Sequence, residues 1–130
     1  MKGLMKFLCL AWEDEAKLNE LTDAEWDALR RETLAYVDKL LKDGRLVSTE
    51  PLQSAHTAAT VRIREGKRLV KDGPFVETKE TVGGYFLIDV RDREEALEIA
   101  ANWPSARFGI IELRPLEIGL PTDRRYAPAK

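Results

Sequence analysis

The chain has 130 residues, the length of one domain, and its 44% hydrophobic content excludes a disordered or fibrous protein. Charged residues make up 34%, against roughly one quarter in an average domain, yet 21 Lys and Arg and 23 Asp and Glu leave a net charge of −2. A chain without a basic excess is not predicted to bind nucleic acid or a membrane surface. We interpret the charges as a solvated surface of mixed sign.

The first predicted element is a strand at residues 5–12, whose apolar side chains alternate between two faces. One face carries Phe7, Cys9 and Ala11, and the other carries Leu8, Leu10 and Trp12. The uninterrupted apolar stretch is shorter than a signal peptide requires and far shorter than the about 18 residues of a membrane span. Cys9 is the only cysteine, so an intramolecular disulfide is excluded and we expect a reduced, cytoplasmic protein.

An amphipathic helix is predicted next. Thr22 and Glu25 match a capping box at its start, and Gly44 provides a stop at its end. The positions that recur at helical spacing are Trp26, Leu29, Thr33, Val37, Leu40 and Leu41. This stripe predicts a helix with one face packed against a sheet.

Four strand segments are predicted after this helix. Residues 45–52 form the first of them. Residues 59–64 alternate between apolar and polar side chains and return as residues 68–71, which predicts a hairpin around a turn at residues 65–67. Residues 85–90 form another strand with apolar side chains on both faces.

The last two predicted elements are a short helix and a strand. Asp92 and Glu95 match a second capping box, and the helix extends through Trp103 until Pro104 ends it. Residues 108–113 predict the final strand.

The resulting order, β-α-β-β-β-β-α-β, predicts an α+β fold with a ferredoxin-like antiparallel sheet and two helices on one face. We expect a single domain at residues 1–116 and a tail without periodicity at residues 117–130. Two helices cover only one sheet face, whereas the strands at 5–12 and 85–90 are apolar on both. A second copy of the chain would cover the open face, so we predict a homodimer packed sheet on sheet.

The common catalytic constellations are absent from the sequence. His56 is the only histidine, which excludes a histidine-rich metal site. Cys9 is predicted within a strand and is interpreted as a buried structural residue rather than as a nucleophile. The chain has no phosphate-binding glycine loop, dinucleotide fingerprint or nucleophile elbow. We therefore predict neither a metal nor a cofactor.

One dense polar block, residues 71–85, remains as a candidate site. Its members are the turn Asp72 to Phe75, the charged residues Glu77, Lys79 and Glu80, and the pair Gly83 and Gly84. As a purely structural element, Asp72 would accept hydrogen bonds from the amides of its own turn. The charged run would then be a solvated loop, and the glycines would permit a close backbone approach.

These residues resemble the signature of the YCII-related family, in its DGPF subgroup. The matching positions are Asp72-Gly73-Pro74-Phe75, Glu77-Thr78-Lys79-Glu80 and Gly83-Gly84-Tyr85. The segment Thr60-Val61-Arg62, the strand at 85–90 and the segment from Arg107 to Pro115 also resemble the family. The resemblance covers roughly residues 5–116. It implies a dimeric α+β barrel of ferredoxin-like subunits whose activity is largely unassigned.

The resemblance also bears on function. Some wider relatives act on small organic substrates, and a His–Asp pair is the suggested catalytic dyad of one branch. That histidine lies in the first helix, at the position of Thr33, so the dyad does not carry over. His56 does not replace it by position. Relatives in the DGPF subgroup are often linked with extracytoplasmic-function sigma factors, which implies a regulatory context and a possible sigma-factor association.

Two functional interpretations of the block stay open beside the structural one. As an enzyme acting on a small organic acid, the protein would use Asp72 as a general acid or base in a cleft beside the sheet. The candidate ligand-binding residues are Arg62, Glu77, Glu80, Tyr85, Gly83 and Gly84. Arg62 would hold an anionic group, Tyr85 would donate a hydrogen bond, and a second carboxylate would divide the acid and base roles.

As a ligand-binding or regulatory module, the protein would hold a small ligand in the same cleft without turning it over. Both functional interpretations predict that Asp72, Arg62 and Tyr85 converge on one cavity. The purely structural interpretation predicts instead that backbone amides satisfy the Asp72 carboxylate.

Overall fold

The computed structural model of the chain describes residues 5–117 and Tyr126. The elements are β1 (Met5–Glu13), α1 (Glu15–Leu18), α2 (Asp23–Lys42), β2 (Leu46–Pro51), β3 (Ala59–Arg64), β4 (Lys67–Asp72), β5 (Thr81–Val90), α3 (Arg93–Ala101) and β6 (Ile110–Pro115). Short 3-10 turns occupy Ala55–Thr57 and Pro104–Arg107. The predicted order is confirmed, with α1 and the 3-10 turns as additions. Apart from Glu117 and Tyr126, the tail predicted at residues 117–130 lies outside the described residues.

β1 lies at the centre of a four-stranded antiparallel sheet with the strand order β2-β5-β1-β6. Within β1, Cys9 is paired with Phe86 of β5 on one side and with Leu113 of β6 on the other. This order is ferredoxin-like, which confirms the predicted α+β fold class.

β3 and β4 form a separate two-stranded ribbon that is inserted between β2 and β5. In the described part of the chain, the ribbon pairs with no strand of the main sheet. Its two-residue turn consists of Glu65 and Gly66, whose φ angles are 51° and 76°. Positive φ at both positions matches the right-handed twist of the flanking strands. Lys67, predicted to lie in the turn, instead begins β4.

α2 and α3 cover one face of the sheet, and the hydrophobic core lies beneath them. Its members are Phe7, Cys9, Leu40, Leu46, Phe86, Ile88, Val90, Ala96, Ile99 and Trp103. Trp103 stacks on Phe86 with 3.9 Å between the ring centroids, and Tyr36 of α2 meets Trp103 edge-on at 5.9 Å. Each fully buried aliphatic or aromatic side chain contributes about 1.5–3 kcal/mol to folding. These contacts hold the helices on the sheet.

The helix starts follow the predicted caps. Thr22 and Glu25 form the complete capping box at the start of α2, since each side chain accepts a hydrogen bond from the backbone amide of the other. At α3, Asp92 accepts from the amide of Glu95 at 2.9 Å. The Glu95 carboxylate, however, accepts from the amide of Arg91 at 3.0 Å, so this second box differs from the predicted form.

Three elements differ from the sequence predictions by more than one residue at a boundary. Trp103 lies outside α3, because Pro104 disfavours a helical backbone at the preceding residue and Trp103 is extended (φ −67°, ψ 124°). β6 begins at Ile110, since the 3-10 turn occupies the residues before it. β5 begins at Thr81 rather than at Tyr85, because its pairing with β1 continues through the glycine pair.

The sheet face opposite the helices is apolar and half-buried. Its apolar side chains on β1 and β5 are Leu8, Leu10, Trp12, Tyr85 and Leu87. β1 and β5 thus carry apolar side chains on both faces, as expected. The homodimer and the cytoplasmic location stay predictions. Within the described residues, the helices are too short or too polar to cross a membrane.

Gly109 provides a test of how closely β6 approaches β1. A Cβ atom at Gly109 would collide with the backbone carbonyl oxygen of Trp12, which a side-chain rotation does not relieve. We expect Gly109→Ala to destabilise the fold by about 1–3 kcal/mol or more, measured by urea unfolding. An unchanged free energy of unfolding would contradict this close approach.

Candidate functional site

A cavity of about 510 Å³ lies between α2 and the helix-covered face of the sheet. This volume is within the range of about 300–1,000 Å³ that is typical of small-molecule sites. The helix contributes Trp26, Leu29, Arg30, Thr33, Leu34 and Val37 to its wall. The sheet contributes Ala11, Glu13, Thr49, Pro51, Gly83, Gly84 and Phe86, and the segment after α3 contributes Trp103 and Ser105. Glu50 and Tyr85 also border the cavity, although the register places their side chains on the opposite face of the sheet. Most of the wall is apolar, with a few polar groups.

The cavity exists because the part of the sheet beneath it consists of small residues. Ala11 of β1 is paired with Gly84 of β5, so one methyl group stands where a core normally has two large side chains. The register then shifts, because Trp12 is paired with Val82 and Gly83 is left unpaired as a bulge. The space between α2 and the sheet therefore stays unfilled.

Glu13 places a carboxylate in this space. Along β1 the helix-facing residues are Phe7, Cys9 and Ala11, and Glu13 is the next in the alternation. Its carboxylate lies over Gly83, and a Cβ atom on Gly83 would collide with it. The missing side chain of Gly83 is therefore what makes room for the acid.

Burial raises the pKa of Glu13 above its ordinary value, and the negative charge of nearby Glu15 raises it further. In the described part of the chain, no hydrogen-bond donor satisfies the Glu13 carboxylate. Burial and the charge of Glu15 both favour the neutral form of Glu13, which can donate a proton to a bound molecule and accept one back. Glu13 is therefore the candidate acid/base group of the cavity.

Arg30 and Thr33 lie on the α2 wall of the cavity, Thr33 half-buried toward the sheet and Arg30 at the exposed edge. Arg30 is mostly exposed, and its contact with Asp27 is long, 3.5 Å between Nη1 and Oδ1. Such an exposed pair contributes little, so the guanidinium can bind an anionic group instead. Thr33 donates its hydroxyl to the carbonyl of Leu29 at 2.8 Å.

A second pocket, of about 270 Å³, lies at the loop between β4 and β5. It is lined by Asp14, Glu15, Ala16, Ala55, His56, Pro74, Glu77, Thr78, Lys79 and Thr81. Glu15 accepts hydrogen bonds from the amide of Ala55 at 2.9 Å and from the hydroxyl of Thr81 at 3.3 Å. A hydrogen bond from Ser54, followed by these two bonds, lowers the pKa of Glu15. Its carboxylate thus ties three segments together.

Asp14 has a similar structural role at this pocket. One of its carboxylate oxygens accepts from the amides of Ala16 and Lys17 and caps α1, and Lys79 Nζ lies 3.9 Å from the other. Because Asp14 and Glu15 are both engaged by the protein itself, the second pocket is a weaker candidate than the main cavity. Among the described residues, no cluster of His, Cys, Asp and Glu could hold a metal ion.

Comparison with known proteins places the fold in a family. Residues 5–117 match the sequence model of the YCII-related domain. The chain belongs to the YCII-related family. An uncharacterised protein of Rhizobium meliloti (strain 1021) is 34% identical over 121 residues, which are 92% of this chain and 98% of that protein. The DGPF subgroup stays a finer prediction, and neither match assigns an activity to this YCII-related protein.

The sequence-predicted site residues lie at three different places in this YCII-related domain. Gly83 and Gly84 line the main cavity, Tyr85 borders it with its side chain on the opposite face of the sheet, and Glu77 lines the second pocket. Asp72 is exposed at the end of β4, and Arg62 lies on the ribbon. Glu80 is half-buried in the loop before β5 and lines neither of the two. Within residues 5–117, the structure does not bring Asp72, Arg62 and Tyr85 to one cavity.

The local contacts of Asp72 and Arg62 are also different from those expected. The amide of Gly73 donates to the carbonyl of Ala58 at 2.6 Å, so the turn is held by backbone rather than by the Asp72 carboxylate. The guanidinium of Arg62 lies over the ring of Phe75, 5.4 Å from its centroid. A role of Asp72 in catalysis stays a prediction without a cavity around it.

Sequence reasoning missed Glu13 and Arg30. The alternation that starts at Phe7 continues through Cys9 and Ala11 to Glu13, and extending it by one step predicts a carboxylate on the core face. Arg30 lies four residues after Trp26, on the same side of the helix. Both signals are present in the sequence, but each is a single residue in a highly charged chain.

Glu13→Gln tests the environment of this carboxyl group through pH-dependent stability. Folding raises the pKa of Glu13 above 4.5, so the neutral carboxyl group is the form that the folded state favours. Its contribution to stability is complete below pH 4.5 and is lost as the pH rises through the raised pKa. Gln is uncharged at every pH. We therefore expect the melting temperature of the variant to equal that of the wild type at acidic pH and to exceed it at neutral pH. Glu20→Gln, at an exposed position outside the cavity, is the control for the loss of one charge.

Gly83→Ala tests the space that the bulge provides. The added methyl group meets only the mobile end of Glu13, so the fold should persist while the carboxylate moves toward solvent. We expect the pKa of Glu13, followed by NMR titration, to fall toward its ordinary value because its burial decreases. A pKa equal to that of the wild type would show that Gly83 does not position Glu13.

Proposed function

We propose that this YCII-related protein binds a small organic acid in the main cavity and that Glu13 exchanges a proton with the bound molecule. The observation that carries the proposal is that a partly buried carboxyl group with a raised pKa, Glu13, and an arginine, Arg30, line one cavity. The proposal keeps the acid/base chemistry predicted from the sequence. It assigns that chemistry to Glu13 instead of Asp72.

The cavity walls favour the binding of an organic acid with an apolar or aromatic body. Trp26, Leu29, Val37 and Phe86 offer hydrocarbon and ring surfaces to such a body. Arg30 is then the partner of the carboxylate, because a guanidinium binds a carboxylate through two parallel hydrogen bonds. The few polar groups fix the orientation of the ligand, as is usual for small-molecule sites.

Binding of an anion is coupled to the protonation state of Glu13. An ionised Glu13 would repel a bound carboxylate, whereas the neutral acid can donate a hydrogen bond to it. The affinity for an organic acid should therefore fall as the pH rises through the raised pKa of Glu13. Isothermal titration calorimetry across this range measures the effect, and a pH-independent affinity in the wild type would count against the role of Glu13.

Arg30→Gln tests the anion-binding role against a matched control. Arg30 and Arg31 are neighbours on α2 and both contact Asp27, but only Arg30 lines the cavity. In a thermal-shift and calorimetric screen of aromatic and aliphatic carboxylic acids, we expect Arg30→Gln to weaken binding by about tenfold or more. Arg31→Gln should bind as the wild type does. Equal losses in both variants, or no ligand in the screen, would contradict the proposal.

A non-catalytic ligand-binding module is the second candidate function. It is favoured by Thr33, which stands where the catalytic histidine of one family branch is expected, and by His56, which lines the second pocket instead of the main cavity. A regulatory role with a sigma-factor association remains a prediction from the family resemblance. Both functions use the same cavity and differ only in turnover.

Turnover assays distinguish the two functions. In an enzyme, Glu13→Gln should keep the ligand affinity at low pH and lower the turnover rate by about 100-fold or more, since it can hydrogen-bond but cannot exchange a proton. If none of the acids that bind is converted in prolonged incubations followed by mass spectrometry, the protein is a binding module.

A further inference from the structure

The main cavity has two ends that differ in chemistry, and the strand register fixes which residues of the sheet lie at each. On the helix-covered face, Cys9 of β1 is paired with Phe86, and Glu13 lies four residues further along β1. At about 3.3 Å per residue, Glu13 and Phe86 are separated by about 13 Å along the sheet. Glu13 therefore marks one end of the cavity and Phe86 the other, with Ala11 and Gly84 between them.

α2 runs back along β1, with its start toward the Glu13 end of the sheet. The chain enters α2 ten residues after Glu13. Just after α2, the carbonyl of Arg45 accepts from the amide of Asp89, which is paired with β1 near its start. The first half of the helix therefore lies toward Glu13 and the second half toward Phe86.

The two charged side chains of the cavity wall belong to the same end. Tyr36 of α2 lies at the Phe86 end, since it meets Trp103 edge-on and Trp103 stacks on Phe86. Arg30 precedes Tyr36 by six residues, which is about 9 Å along the helix axis toward Glu13. Arg30 and Glu13 thus form a polar end, remote from the aromatic rings.

The threonine hydroxyls of the cavity wall are already engaged by the backbone. Thr33 donates to the carbonyl of Leu29 and Thr49 to the carbonyl of Tyr85, both at 2.8 Å. A hydroxyl group has one proton to donate, so neither threonine has a donor left for a ligand. A polar atom in the middle of a ligand would lose its water partners here without gaining these donors.

The Phe86 end of the cavity is formed mainly by hydrocarbon and aromatic surfaces. Val37 and Trp103 line it, and Val37 packs against the hydrophobic core. Its polar atoms are the indole N–H of Trp103 and the hydroxyl of Ser105, which are neutral. A carboxylate placed at this end would lose its hydration without gaining a counter-charge, which is unfavourable.

We propose that the cavity selects arylalkanoic acids, which carry one carboxyl group and a terminal aromatic ring, and that Val37 limits the length of the chain between them. The inference rests on the proposed function, since it specifies the ligand of the same cavity. The carboxylate lies at the Glu13 end, where Arg30 binds it through two parallel hydrogen bonds. The ring lies against Phe86 and Trp103, because aromatic pairs are favourable beyond the area that they bury.

Val37 is the residue through which ligand length can be tested. It follows Tyr36 on α2, is half-buried and lines the cavity. Val37→Leu adds one methylene group at the Phe86 end, and Val37→Ala removes two methyl groups there. Neither change alters Glu13 or Arg30. Val47, which is 49% exposed and lies outside the cavity wall, provides the matched control Val47→Leu.

The experiment measures the affinities of phenylacetate, phenylpropanoate, phenylbutanoate and phenylpentanoate for the full chain by calorimetry. We expect the wild type to prefer an acid longer than phenylacetate, because about 13 Å separates the two ends of the cavity. Val37→Leu should weaken this preferred acid by about tenfold and leave phenylacetate unchanged, since one methylene group is enough to exclude a ligand that fills its pocket. Val37→Ala should shift the preference to a longer acid, and Val47→Leu should bind as the wild type does.

Two further variants test the other walls, and circular dichroism checks that every variant is folded. Trp26→Phe changes the Glu13 end and should change the affinities of all four acids by the same factor. Thr33→Val removes a hydroxyl that only the helix uses and should leave the affinities unchanged.

The outcomes separate this inference from the proposed function. If Arg30→Gln weakens binding but the Val37 variants change all four acids equally, the organic acid still binds and the length selection is wrong. A loss of affinity in Ser105→Ala but not in Arg30→Gln indicates the reverse orientation and overturns the proposal. Octanoate that binds as tightly as the preferred aryl acid excludes selection for a ring. A wild type that binds none of the acids overturns the proposed function together with this inference.

Discussion

The stacked rings of Phe86 and Trp103 join three parts of the fold that are far apart in sequence. Phe86 comes from the centre of the sheet, Trp103 from the segment after α3, and Tyr36 of α2 meets Trp103 edge-on. The hydroxyl of Tyr36 donates to the carbonyl of Ile99 at 3.1 Å, so the polar end of this cluster is also satisfied. Phe86 and Trp103 line the main cavity as well. The contact that anchors the helices on the sheet is therefore also a rigid wall of the candidate site.

A gap beside this cluster creates the site. Ala11 and Gly84 leave the sheet without large side chains beneath the cavity, and the bulge at Gly83 makes room for the carboxylate of Glu13. Filling the gap with larger apolar residues would add buried surface and stability. The chain instead holds Glu13 there in a form that is unfavourable when ionised. Such local departures from good packing are typical of functional sites, where stability is sacrificed for chemistry.

The second pocket and the main cavity use carboxylates in opposite ways. At the second pocket, beside the loop between β4 and β5, Asp14 accepts from an amide of its own helix, and Glu15 accepts from the amide of Ala55 and the hydroxyl of Thr81, which fixes the backbone there. In the cavity, the carboxylate of Glu13 has no such partner in the described part of the chain. A satisfied carboxylate stabilises the fold, whereas an unsatisfied one is available to a ligand. The carboxylates of Asp14 and Glu15 therefore contribute to structure.

Local patterns in the sequence determined the elements of this protein. The caps of α2, the alternation along β1 and the hairpin follow from interactions within a few residues, and the signature of residues 72–85 indicated the family. The tertiary structure alone decided which polar side chains meet. Asp72 and Arg62 lie on a ribbon apart from the sheet, whereas Glu13 and Arg30 face one cavity. The reason is physical: a one-residue bulge between β1 and β5 and the packing of α2 on the sheet arise from contacts between segments distant in sequence.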